Sequence, residues 1–109
     1  VTDREQMEAS VTAAQDAADA ADERNLSSVT QACLTISTAR VSMYKLADPE
    51  AKAEGLRAIM AVYDKFKAKV MAAINTPEDV RAFDPAGVVY GLTGLGPPPE
   101  NRPATAVSG

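Results

Sequence analysis

The sequence predicts an all-α protein: an antiparallel three-helix bundle, a short fourth helix, and an extended Gly/Pro-rich C-terminal arm. Three observations predict it. Apolar residues recur at three- and four-residue spacing through most of the chain, the rhythm of helices that bury one face. Asp48-Pro49 and Thr76-Pro77 each join an N-cap acceptor to a proline placed where no helical N–H is needed. Composition breaks near Asp84: residues 1–83 hold one glycine and two prolines, whereas residues 84–109 hold five of each. The expected division is a helical domain over 1–83 and an arm over 84–109.

The first helix is expected over about 2–24. Met7, Val11, Ala14, Ala18 and Ala21 follow the heptad spacing of a seam. Only two of these five exceed alanine, so the helix gains little from burial unless a neighbouring backbone approaches closely. Asn25 reads as a turn or C-cap residue. Ser27 or Ser28 then opens a second helix over about 28–47, with Gln31 in capping-box position after Ser28. Its stripe is Val29, Cys33, Ile36, Met43 and Ala47, interrupted by Arg40, which reads as a snorkelling side chain at the core edge or as a partner contact.

Pro49 starts the third helix, expected over about 49–75. Leu56, Ile59, Tyr63, Phe66, Val70 and Ile74 give it the best-filled apolar face of the chain, and hence the centre of the core. A fourth helix, about 77–83, carries Val80 and Phe83 and ends at Asp84-Pro85. The arm divides into an apolar, glycine-spaced part, Val88 to Gly96, and a polar end opening with Pro97, Pro98 and Pro99, biased to extended polyproline geometry.

Charge is segregated along the chain. Residues 1–24 carry seven acidic and two basic side chains, and residues 49–75 carry three acidic and five basic. Asp16, Asp19 and Glu23 crowd the C-terminal half of the first helix, where the helix dipole disfavours anions, and Lys65, Lys67 and Lys69 lie in the C-terminal half of the third. If the first and third helices run parallel, these clusters meet at one end. Such pairs contribute about 0–1 kcal/mol each and cannot drive the fold.

Composition excludes several functions. At 109 residues the chain holds one core. A net charge of −4 argues against non-specific nucleic-acid binding, which relies on clustered Lys and Arg. One cysteine and no histidine remove intrachain disulfides and the usual zinc and general-base constellations, and Cys33 reads as a small buried hydrophobe. No apolar run approaches the ~20 residues of a membrane span. The expected location is cytoplasmic or particle-associated and not secreted, with no cofactor, metal, nucleic-acid or membrane partner.

Two short motifs resemble known signals. Tyr44 to Asp48 has the tyrosine-x-x-x-acid spacing found in helical-hairpin proteins of the type VII secretion group. The Trp-x-Gly turn that accompanies it there is missing, and Asp48 serves as the cap of the third helix, so the family is not carried over. Gly91 to Gly96 resembles the Gly/Leu docking segments of cargo proteins that load into encapsulin-type shells, which implies a backbone able to lie against a surface with Val89, Leu92 and Leu95 as anchors.

These readings point to a non-enzymatic structural or assembly subunit, such as a component of a virion or protein shell, whose arm straps it to copies of itself or to a scaffold. The alternative is an adaptor or cargo-type protein whose Gly/Leu segment docks a different partner. The expected contact residues in the arm are Val88, Val89, Tyr90, Leu92, Leu95, Pro97, Pro98 and Pro99. On the helix faces they are Asp16, Asp19, Glu23 and Arg40.

Overall fold

The computed structural model of the chain describes residues 2–94. These fold as five helices that pack on one another: α1 (Asp3–Ala20), α2 (Leu26–Tyr44), α3 (Pro49–Ala73), α4 (Pro77–Phe83) and α5 (Val88–Thr93). Among the described residues there is no strand.

Each long helix starts where a side-chain acceptor satisfies an otherwise orphaned amide. Thr2 and Glu5 form a reciprocal capping box at the start of α1. Asn25 caps α2 by accepting from the Ser28 N–H at 3.0 Å, so it begins this helix and does not merely end the preceding one. Ser28, expected to open α2, instead accepts at its hydroxyl from the Asp22 N–H at 2.8 Å and stabilises the turn. Asp48 and Thr76 cap α3 and α4 with proline in the first turn, as their sequence signals require.

The three long helices pack pairwise. Contacts at their ends fix the directions. The Asp3 carboxylate, in the first turn of α1, accepts from the N–H groups of Ala47 (3.0 Å) and Asp48 (2.8 Å), which join α2 to α3. At the other end the Lys69 ammonium of α3 reaches the last carbonyls of α1. Thus α1 runs against α2 and alongside α3.

The core follows the apolar stripes. Met7, Ala14, Ala18 and Ala21 are buried and Val11 packs against them; from α3, Ile59, Phe66, Val70 and Ile74 are buried, and Leu56 and Tyr63 are partly so. In α2, Val29, Ile36 and Met43 are joined by Ala32 and Ala39, while Ala47 is exposed. Burial of a side chain such as Phe66, 1% exposed, stabilises by about 2–3 kcal/mol.

The thin seam of α1 works because a backbone does come close. Gly55 of α3 is buried, and a Cβ there would collide with the Met43 sulfur of α2 and lie 2.7 Å from Met7 Cγ of α1. Two flexible thioether side chains occupy the space that any larger residue at position 55 would need.

Residues 84–94 depart from the expected extended arm. They form a turn and then α5, which packs on α2, α3 and α4. The physical reason lies in the glycines. Gly87 (φ 82°) and Gly94 (φ 81°) adopt left-handed conformations at the two ends of the helix, where they bracket it and do not break it. Val89, Tyr90 and Leu92 join the common core, so this stretch belongs with the helical body and the expected boundary at 84 does not separate it.

Candidate functional site

The ends of α1 and α3 cap each other. Neither helix has a basic residue in its last turn, and α1 ends in an acidic run. The orphaned carbonyls therefore take cations from a neighbour. Lys69 Nζ donates to the carbonyls of Ala21 (2.7 Å), Ala18 (3.2 Å) and Asp19 (3.3 Å) and lies 3.9 Å from the Glu23 carboxylate. Arg24, in the α1–α2 turn, donates through Nη1 to the carbonyl of Ala73 at the end of α3. Glu23 of the acidic run thus faces a lysine of the basic run. Asp16 and Asp19 remain exposed, with no ion pair to their carboxylates among the described residues. At the opposite end Arg4 and Glu54 join α1 to α3 at 2.8 Å, and this hydrogen bond and the Glu54 charge raise the Arg4 pKa from its ordinary value.

Above this end, α1 and α3 leave between them an open groove of about 490 Å³. Its walls are aliphatic, from Val11 and Ala18 on one side and Ala58, Ala61 and Val62 on the other, with Phe66 also lining it. The two rims differ in charge. Asp19 stands on the α1 rim with Gln15, and Lys65 and Lys69 stand on the α3 rim. Lys69 is committed to the α1 carbonyls, whereas Lys65 is exposed and has no ion-pair partner among the described residues. The lining holds no nucleophile–base pair, and it can receive apolar side chains framed by charges of opposite sign.

On the other flank of α3, the space beside α2 is covered in part by α5. Asp84 fastens the cover. Its side chain is fully buried, and Oδ2 accepts from the N–H groups of Val89 and Tyr90 (3.2 Å for the latter), while the Tyr90 hydroxyl donates to the Pro77 carbonyl at 2.7 Å. Oδ1 has no hydrogen-bond partner among the described residues. A smaller, more enclosed depression of about 240 Å³ also lies between α2 and α3, lined by Ile36, Ser37, Arg40, Ile59, Met60 and Tyr63. Arg40 is exposed at its edge, and Tyr44 of α2 is 61% exposed. Desolvation chiefly, with smaller effects from neighbours including Cys33, raises the Tyr63 pKa. Burial alone pushes the Cys33 thiol up from its ordinary value, which reduces its thiolate fraction at neutral pH.

The expected contact residues therefore fall in different environments. Val89, Tyr90 and Leu92 are buried in their own domain and Val88 is partly buried, so they are not free to grip a neighbour. Leu95, Pro97, Pro98 and Pro99 lie outside the described residues. Arg40 shares a depression with Met60 and Tyr63, far in sequence from Asp16, Asp19 and Glu23 at the end of α1. Sequence reading missed the α1–α3 groove, the carbonyl cap by Lys69 and the buried role of Asp84. For α5 the only trace in the sequence is Val88, Val89 and Leu92 between two glycines, a stretch too short to show a period.

Among the described residues no cluster of three or more His, Cys, Asp or Glu side chains could hold a metal ion, and no helix is long and apolar enough to cross a membrane. No protein-family model, no curated protein and no solved structure matches this chain.

Proposed function

We propose that the protein is a non-enzymatic structural or assembly subunit that works through contact with other protein chains, as a component of a larger particle such as a virion or protein shell. The observation that carries this reading is the α1–α3 groove: a broad concave surface of the molecule is aliphatic, open and framed by charge, without groups arranged for catalysis. Of the arm expected to strap neighbours, only the part beyond Gly94 is left for that task, because α5 is committed to its own core. Sedimentation velocity of the full chain from micromolar to millimolar concentration tests the reading. Reversible self-association is expected, and a chain that stays monomeric throughout overturns it.

A second reading, an adaptor holding a different partner, is favoured by one observation. Arg40, Met60 and Tyr63 line one depression, and these residue types are enriched where binding energy concentrates. Alanine at Arg40 and Met60 separates the two readings. Unchanged self-association leaves this patch available to another protein, whereas loss of self-association assigns it to the assembly and removes the support for an adaptor.

A further inference from the structure

The α1–α3 groove has a property that its apolar lining alone does not: it is complementary to itself under one symmetry operation. Asp19 lies on the α1 rim and Lys65 on the α3 rim, near the same end of the molecule, because Lys69, one turn beyond Lys65, already touches the Asp19 carbonyl. Consider two copies placed groove to groove. A twofold axis perpendicular to the helices sets α1 against α1 and α3 against α3, so that no Asp19 has a Lys65 opposite it. A twofold axis parallel to the helices sets α1 of each copy against α3 of the other, so that each Asp19 faces the other copy's Lys65 and the aliphatic floors meet between them.

We propose that the occupant of this groove is a second copy of the chain, docked about a twofold axis parallel to α1 and α3, with two symmetry-related Asp19–Lys65 pairs at the rim. The proposal deepens the assembly reading above and rests on it. Size sets the strength of the contact. The groove runs along residues 11–19 of α1 and 58–69 of α3, about 15 Å, and two helices side by side present a face about 20 Å wide, or about 300 Å² per copy. The groove itself would bury about 600 Å² in the pair, less than a standard interface, so the expected dimer is a weak one. The small side chains of Ala18, Ala58 and Ala61 let the helices of the two copies approach closely, and the partly exposed Val11 and Val62 supply apolar area. Lys65 is the cation of choice for the rim because Lys69 is already bound to its own α1.

Charge reversal tests the geometry, with circular dichroism to confirm that each variant keeps its helices; both positions are exposed. Lys65→Glu places an acid opposite each Asp19, and Asp19→Lys places a base opposite each Lys65. Each variant alone is expected to dimerise at least tenfold more weakly than the parent protein in sedimentation equilibrium. An equimolar mixture of the two restores attraction at both rims and is expected to form a heterodimer that neither forms alone. Self-association that ignores both reversals, or a mixture no tighter than its components, overturns this interface and leaves the assembly reading standing. A parent protein that is monomeric at millimolar concentration overturns both.

Discussion

Two grooves flank α3, and the protein treats them differently. The one beside α2 receives α5, with Val89 and Leu92 buried, and Asp84 pins the cover in place from beneath. The one beside α1 is left open with Phe66 in its lining. The walls differ in chemistry, since α1 is alanine-rich and acidic and α2 carries Val29, Ile36 and Met43, but that is not the main difference. It lies in what the chain can bring back to each side. Residues 84–94 cover one flank at the cost of a buried carboxylate with one unsatisfied oxygen, and the other flank stays open among the described residues.

The largest expected effect comes from the core residue that also lines the open flank. Phe66→Ala removes the largest fully buried side chain and should destabilise the fold by about 3–5 kcal/mol in urea denaturation, with α5 and the α1–α3 groove lost together. A smaller change would show that the two flanks are stabilised independently. Asp84→Ala acts on the covered flank alone. It leaves the amides of Val89 and Tyr90 without their acceptor, so a loss of about 1–3 kcal/mol is expected, with faster hydrogen exchange in 88–93 and undiminished protection in α1. If α1 opens as readily as α5, the cover is not a separable unit.

Lys69→Met keeps the stem and removes the ammonium at the open flank. About 1–2 kcal/mol should be lost, with the added exchange confined to the last turn of α1. The smallest effect is alkaline. The thiol of Cys33 and the phenol of Tyr63 both have raised pKa values in the folded state, so the unfolded chain ionises first. Their contribution to stability is complete below the unfolded values, about 8.5 and 10, and is lost as pH rises through the folded ones. The urea midpoint should hold steady between pH 6 and 8 and fall towards pH 10.5, less so in Cys33→Ala. An equal fall in that variant would remove the thiol from the account.

The long helices were legible because their information is periodic and local. Met7, Val11, Ala14, Ala18 and Ala21 announce a face by spacing alone, and Asp48-Pro49 announces a start by chemistry alone. Asn25 was read as an ending because asparagine serves at both ends of helices, and only the Ser28 amide shows which role it takes. What escaped was everything set by juxtaposition. Six residues of α5 are too few to show a period, and the glycines around them carry the same letters whether they break a helix or bound one. Likewise Lys69 and Ala21 are 48 residues apart, and no linear pattern couples a lysine to the carbonyls of another helix. The α1–α3 groove is an empty space, and its shape depends on the distance between two helices.

That distance has a further consequence through Gly55. Because Met7 and Met43 fill the volume that a side chain at position 55 would need, these three positions cannot vary one at a time. A larger residue at 55 is tolerable only in a background where one methionine has already been shortened, and a shortened methionine leaves a void that only a larger residue at 55 closes. Replacement here should therefore be epistatic: Gly55→Ala and Met43→Ala are each harmful, and their combined cost is less than the sum of the two, with Met7 left to adjust. The most permissive amino acid in the helical body would then mark one of its least permissive sites, and second-site suppressors of damage at 55 should map to α1 and α2.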